Sequence, residues 1–152
     1  MNSSITIRKS TEDDYDQIFA MHEEWFKAEI EERWGWNDLW QKQNFSEEWK
    51  RDVFEVILDH DKIIGYAQKT IESDYVYLQS IGLAPAFRGK GIGRKVMEDL
   101  LEDASGDFSL FRLSVGVSNF PAIKLYESLD FEVESRSEYS LTMRKDLTKL
   151  VK

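Results

Sequence analysis

The run Arg88-Gly89-Lys90-Gly91-Ile92-Gly93 carries the clearest chemistry in the sequence. Glycines at alternate positions let a backbone turn sharply and aim successive N–H groups at one point. Arg88, Lys90, Arg94 and Lys95 add four positive charges, and no acid falls between Ala86 and Met97. Val96, Met97, Leu100 and Leu101 follow at helical spacing, so the run would open a helix whose dipole favours an anion. Phosphate is the natural guest. The string is neither a G-x-x-x-x-G-K-[ST] loop nor a G-x-G-x-x-G turn, because its glycines are each two apart. A tight strand-to-helix turn without a ligand is the competing reading, and the basic flanks weigh against it.

A second group of residues suits a cation. Trp25, Trp34, Trp36, Trp40 and Trp49 fall in one stretch that also carries Glu29, Glu31, Glu32 and Asp38. Aromatic faces beside carboxylates can hold an ammonium group. Trp25 and Trp49 fit ordinary packing, whereas Trp34 and Trp36 flank Gly35 off the helical rhythm and suit a pocket wall. His22 lies on an apolar helical face and reads as a packed residue; His60 reads as a solvated turn residue. No histidine and acid have metal-ligand spacing, so no metal is expected. Cysteine is absent, which excludes disulfides and a cysteine nucleophile.

The elements that must position these groups follow from periodicity. Residues 5–8 alternate as a strand. Thr11 looks like an N-cap with Asp14 three residues on, opening a helix from Glu12 to Ile30 through Tyr15, Ile18, Phe19, His22, Trp25 and Phe26. Trp34-Gly35-Trp36-Asn37 interrupts it, and a second helix covers Asp38 to Gln43 or beyond. Strands are predicted over 53–58, 62–71 and 75–83, separated by the polar turns Asp59-His60-Asp61 and Glu72-Ser73-Asp74. The glycine run then opens a helix ending near Ala104. A strand over 110–117, a helix over 121–129 with Pro121 in its first turn, and strands over 131–134 and 139–144 complete the chain. Residues 146–152 read as a loose tail. The order βααβββαβαββ is an α+β layout with a mixed sheet and no visible linker or repeat, so residues 1–152 read as a single domain.

Composition sets the outer limits. The chain has 152 residues, 41% hydrophobic and 32% charged, which excludes a disordered or low-complexity chain. No apolar run is long enough to span a membrane, no secretory h-region is seen near Met1, and the missing cysteines fit a reducing cytoplasm, the expected location. Net charge is −9 and unevenly spread: residues 11–61 carry a net −11, the remainder +2. That distribution disfavours nucleic acid as a partner and suits a cationic one, unless it is only solvated helix surface.

Two motifs resemble a known family. Arg88-x-x-Gly91-x-Gly93 resembles the Q/R-x-x-G-x-G/A pyrophosphate loop of the GCN5-related N-acetyltransferase (GNAT) superfamily. Asn119-x-x-Ala122-x-x-Leu125-Tyr126-x-x-x-Asp130-Phe131 resembles that family's N-x-x-A-x-x-L-Y-x-x-x-G-F. The strand and helix order also matches, so the resemblance covers nearly the whole chain. It implies a three-layer fold with a central mixed, mostly antiparallel sheet flanked by helices. It implies an N-acetyltransferase with acetyl-coenzyme A as donor, no metal, and a primary amine as acceptor. Backbone amides from Gly89 through Lys90, Gly91, Ile92 and Gly93 to Arg94 would hold the pyrophosphate, flanked by Arg88. The strand at Ile81, Gly82 and Leu83 would pair with the pantetheine arm, Asn119 would contact it, and Tyr126 would sit near the sulfur. The resemblance also admits a homodimer.

Acetyl transfer to an amine needs a neutral amine, a donor for the oxyanion and a proton for the departing thiolate. A backbone N–H near Ile81 is the family's oxyanion donor. The Tyr126 phenol, with an ordinary pKa of about 10, can donate to sulfur; the competing reading is a core tyrosine beside Leu125 and Leu129. Asn119 can equally cap the helix that Pro121 enters. Two positions depart from the family. Asp130 stands where glycine is usual, and aspartate tolerates a left-handed turn. Gln79 stands where many members carry a glutamate base, and an amide cannot accept that proton. Glu31 and Glu32, beside Trp34, are the expected substitutes if one is needed. The acceptor is therefore expected to be a small or peptidic, cationic primary amine. A protein N-terminus or lysine is the near alternative, and a weakly catalytic coenzyme A-binding module the distant one.

Overall fold

A computed structural model describes residues 4–150. The strands are β1 (Ile5–Lys9), β2 (Val53–Asp59), β3 (Lys62–Ile71), β4 (Tyr75–Leu83), β5 (Leu110–Gly116), β6 (Glu132–Arg136) and β7 (Ser140–Asp146). The α-helices are α1 (Tyr15–Trp34), α2 (Asp38–Arg51), α3 (Ile92–Ser105) and α4 (Phe120–Ser128). The strands form one mixed sheet in the order β1-β2-β3-β4-β5-β7-β6, flanked by the helices as the α+β reading requires. β4 and β5 run parallel from Tyr75↔Leu110 to Leu78↔Leu113, while β1–β2, β5–β7 and β6–β7 are antiparallel. The chain divides into two compact units, one holding the residues up to Gln68 with Ser80–Lys90, the other Lys69–Gln79 with the residues from Gly91 onward.

The first unit is built on aromatic packing. Ile18, Phe45, Phe54, Val56 and Tyr66 form its buried cluster, with Tyr15, Phe19, Trp25, Phe26 and Trp49 against it. Phe45 takes Tyr15 and Phe19 edge-on at 5.7 and 5.1 Å between centroids, the geometry ring quadrupoles favour. A 3-10 turn over Glu12–Asp14 precedes α1. Asp14 accepts from the Thr11 backbone N–H at 2.8 Å and holds both Arg8 Nη atoms at 2.8 and 3.1 Å. α1 passes the predicted stop at Ile30 and ends at Trp34, because no breaker intervenes before Gly35, whose φ of +79° suits a residue without a side chain. α2 also runs longer than its first predicted turns, through Arg51. Gln41 and Phe45, one helical turn apart, are buried on its inner face.

The second unit packs the apolar face of α3. Ile92, Val96, Met97, Leu100, Leu101 and Ala104 are all buried at helical spacing. Phe111, Leu113, Met143 and Phe131 are buried with them in the same unit. Asp130 adopts φ +70°, so the turn after α4 forms in spite of the missing glycine. The expected loose tail is corrected in part. Leu147 is fully buried and its N–H donates to the Ser109 carbonyl at 2.9 Å, drawing Leu147–Leu150 into a 3-10 turn. Leu147, the first apolar residue of the tail, anchors it. Residues 151–152 lie outside the described residues.

Arg8, hydrogen-bonded to Asp14, holds that carboxyl below the usual carboxylate range; burial opposes the shift and the Thr11 amide adds to it. A depressed folded pKa contributes stability above the unfolded pKa and loses it as pH falls through the folded value. Asp14→Asn should therefore lower stability by about 1 kcal/mol at pH 7, the scale of a lost capping interaction. Urea melts should show the gap to wild type closing as pH falls below about 4, the unfolded carboxylate value. A gap that persists unchanged at low pH would assign the loss to packing.

Candidate functional site

The glycine run makes the sharp strand-to-helix turn its spacing suggested. Pro85–Phe87 makes one 3-10 turn and the Arg88 N–H closes it on the Pro85 carbonyl at 3.2 Å. Gly89 and Gly91 both take left-handed conformations, φ +72° and +80°, and Gly91 is the residue that caps α3. No side chain caps that helix and its first turn carries no acid, so its leading N–H groups remain as donors. The basic flank is more self-contained than the sequence suggested. Arg94 pairs with Glu98 at 3.8 Å and donates to Ser128 Oγ at 2.7 Å, and Lys95 pairs with Asp99 at 2.9 Å. These acids begin one residue beyond the acid-free window. Lys90 is exposed, and Arg88 donates through Nε to the Leu83 carbonyl at 2.8 Å.

The strand end beside Arg88 is set by close approach. A β-carbon at Gly65 would stand 2.2 Å from the Gly82 carbonyl oxygen, and one at Gly82 would stand 2.6 Å from Trp25 Cε3. Neither separation is sterically possible, so β3, β4 and the Trp25 indole touch only because both positions are bare. Trp25 stacks on Tyr66 at 6.1 Å and 10°, and the Arg88 guanidinium lies 5.8 Å from its ring centroid. Trp25, Gly82, Leu83 and Arg88 thus form one assembly, with Ile81 half-buried beside them. Trp25 packs, as its helical position predicts, and its link to Gly82 and Arg88 lies outside any local pattern. A lone glycine inside a strand pattern was the available signal.

The expected acceptor residues separate. Trp34 is the last residue of α1, 72% exposed, with Arg33 over its ring. Glu31 and Glu32 are exposed on the same final turn. Trp36 is half-buried: its Nε1 donates to Asp38 at 2.6 Å, Lys27 lies over its ring at 5.4 Å, and His22 lies 6.3 Å away. Gln79 is exposed and donates to Thr70 Oγ1 at 2.9 Å.

A polar network that sequence spacing did not reveal runs beneath β4. Gln68 is buried, and its Nε2 donates to Glu48 and Asp52 at 2.7 Å each. Ser80 Oγ donates to Gln68 Oε1 at 3.2 Å. The Tyr66 hydroxyl, fully buried, bonds Ser80 and stands 3.4 Å from His22 Nδ1. Burial drives the Tyr66 phenol far above its ordinary pKa, so it stays protonated. Burial lowers the pKa of His22, partly offset by a hydrogen bond with Gln41 and by Glu48 and Glu23.

In the second unit, Tyr126 is buried with its ring 5.6 Å from Phe131, and burial raises its phenol. Asn119 caps α4: its Oδ1 accepts from the Ala122 N–H at 3.3 Å, which leaves the amide NH2 for another partner. Gly93 has room for a β-carbon, with Leu125 3.9 Å away.

Comparison with known proteins bears on the family and the fold. The acetyltransferase (GNAT) family model matches residues 15–131. The chain is 36% identical over 97 residues to N-alpha-acetyltransferase RimI of Mycobacterium tuberculosis, covering 55% of this chain and 60% of that protein. It is 26% identical over 141 residues to an N-alpha-acetyltransferase of Saccharolobus solfataricus, covering 84% of this chain and 80% of that protein. Spermidine N-acetyltransferase from Vibrio cholerae, solved with CoA and spermine, shares the fold at a TM-score of 0.80 and 20% identity, covering 99% of this chain and 100% of that one.

The Gly82–Trp25 contact predicts a coupling. Gly82→Ala should lower stability by about 1–3 kcal/mol through overpacking. In a Trp25→Leu background the same substitution should cost clearly less, measured as a denaturant double-mutant cycle. Equal costs in both backgrounds would mean that the indole is not what excludes the β-carbon.

Proposed function

Because the chain belongs to the acetyltransferase (GNAT) family, we propose that it transfers an acetyl group from acetyl-coenzyme A to a primary amine of a small or peptidic, cationic acceptor. The observation that carries this reading is the uncapped start of α3, entered through two left-handed glycines. Such a cradle fits a pyrophosphate: it offers converging amides and no competing carboxylate. The amides of Gly89, Lys90, Gly91, Ile92, Gly93 and Arg94 hold the phosphates. Lys90 adds charge from an exposed position, and Arg88 adds it from a guanidinium tethered to Leu83. The i,i+4 pairs of Arg94 and Lys95 are worth only a few tenths of a kcal/mol, ~0.3–0.5, and yield to a doubly charged ligand.

Backbone groups at Ile81, Gly82 and Leu83 bind the pantetheine amides, and the Asn119 NH2 joins them, since its Oδ1 is committed to the helix cap. Bound acetyl-coenzyme A supplies the thioester carbonyl and the thiol leaving group. The Ile81 N–H donates to the carbonyl oxygen as it gains charge. Tyr126, kept protonated by burial, gives its proton to sulfur. The acceptor side draws on α1 and α2, where Trp36, Glu31, Glu32, Trp34 and Gln79 are candidates and the net −11 of residues 11–61 attracts ammonium ions. Relatives named as N-alpha-acetyltransferases support an amine acceptor, and the RimI likeness favours a peptide N-terminus within that class.

Calorimetry tests the cofactor half. Wild type should bind coenzyme A, and Gly91→Trp should abolish binding, because a side chain at φ +80° is strained and enters the phosphate space. Wild-type affinity in Gly91→Trp would remove the loop assignment. Tyr126→Phe tests catalysis against a binding-only module. Its kcat should fall by about 10- to 1,000-fold, with coenzyme A affinity unchanged, if the phenol is the acid. An unchanged kcat with chemistry rate-limiting would leave Tyr126 a packing residue.

A further inference from the structure

The cations around the glycine loop differ in what holds them. Arg94 and Lys95 pair with Glu98 and Asp99 at 3.8 and 2.9 Å. No ion pair holds Arg88 among the described residues. Its guanidinium donates through Nε to the Leu83 carbonyl at 2.8 Å and lies 5.8 Å from the Trp25 ring centroid. Resting on the coenzyme A reading of this loop and of β4, we propose that Arg88 makes the site select phosphate-bearing thioesters over phosphate-free ones. It sits on the Leu83 carbonyl, which the pantetheine arm needs, until a phosphate draws it away.

The position of that carbonyl follows from strand geometry. In an extended strand the N–H and C=O of one residue point to one edge, and those of the next residue to the other. The Ala84 N–H donates to the Ile64 carbonyl at 2.8 Å, so Ala84 faces β3. Leu83 and Ile81 therefore face the opposite edge. The parallel register of β4 with β5 ends at Leu78, and an extended, amide-bearing ligand can add to the backbone beyond it as a strand would. Arg88 Nε takes the Leu83 acceptor on that edge. It fills one of the oxygen's two lone-pair directions and sets a positive charge beside the other. An arriving amide N–H presents the positive end of its own dipole and is disfavoured there.

Only a phosphate makes the exchange favourable. The two Arg88 Nη groups donate to nothing among the described residues, and a guanidinium fork matches a phosphate. A hydrogen bond between two charged groups is stronger than one from a cation to a neutral carbonyl. Arg88 is exposed, so the Trp25 face holds it weakly. The loop amides begin at Gly89, the very next residue, which brings a phosphate held there within reach of the same side chain. A thioester without phosphates has nothing to offer the guanidinium and meets an occupied carbonyl. Arg88 thus adds affinity for coenzyme A and subtracts affinity for a bare pantetheine thioester. A residue that only touched phosphate would leave pantetheine binding alone, and one that only braced the end of β4 would favour both ligands.

Calorimetry with coenzyme A and with pantetheine separates these roles. Arg88→Met keeps an unbranched side chain against Trp25 and removes the charge and the donors. It should bind coenzyme A about tenfold or more weakly than wild type, and pantetheine about 3- to 10-fold more tightly. Lys90→Met removes an exposed cation of the same loop without touching Leu83. It should weaken coenzyme A and leave pantetheine at its wild-type affinity. In turnover, kcat/KM should rise in Arg88→Met with S-acetylpantetheine as donor and fall with acetyl-coenzyme A. Pantetheine that binds Arg88→Met no better than wild type overturns the proposal. Equal affinity would leave Arg88 a phosphate contact, and weaker binding would leave it a brace. Coenzyme A that fails to bind wild type overturns the cofactor reading itself, and the selectivity with it.

Discussion

No β-carbon fits at Gly65 or Gly82, and the first unit is organised around that constraint. The Gly82 carbonyl would meet a Gly65 side chain at 2.2 Å, and the Trp25 indole would meet one at Gly82 at 2.6 Å. Bare backbone at both lets α1 lie directly on β4. Three consequences follow. Trp25 can stack on Tyr66, which aligns the phenol between His22 and Ser80. The end of β4 is held so that the Leu83 carbonyl meets Arg88. The chain then leaves β4 on a fixed course into the turn before Gly89. Packing, the polar network and the entry to the glycine loop thus share one steric origin.

Charge works differently in the two regions that the proposed reaction needs. At the loop, two of the four cations are already paired with Glu98 and Asp99. The proposed phosphate binding there would rest on oriented backbone amides, which need no rearrangement, more than on net charge. Along residues 11–61 the acids are mostly exposed on α1 and α2, so their effect is a diffuse field that salt screens. Buried polar groups are treated the opposite way. Gln68 and Asp52, both buried, are partnered together with the half-buried Glu48 and Ser80, because an unpartnered buried group costs about 1–3 kcal/mol.

Local signals in the sequence were strong where polar turns bracket apolar runs: β3 and β4 have the bounds their flanking turns predicted. The glycine loop, the Asn119 cap and the left-handed Asp130 were legible because each depends on neighbours within a few residues. Helix ends were legible only at a breaker, so α1 ran on to Gly35. A buried glutamine, Gln41, sits among the core positions of α2 and blurs its apolar stripe. Leu147 escaped notice because the short run from Asp146 shows no clear helical or strand period. The network was hidden for a different reason: its partners are 12 to 44 residues apart. His22 reads as packing from its helical position and is indeed packed; what its ring hydrogen-bonds depends on two strands and a second helix.

Acetyl transfer to amines that carry positive charge can be followed in one assay. Thiol release from acetyl-coenzyme A should be followed with size-matched primary amines, including short peptides, that differ in net charge, at low and high ionic strength. The account predicts thiol release matched by acetylated amine, the highest kcat/KM for cationic acceptors, and a fall in that preference as salt rises. Thiol release that is absent with every amine, or equal for cationic, neutral and anionic acceptors and indifferent to salt, would contradict it.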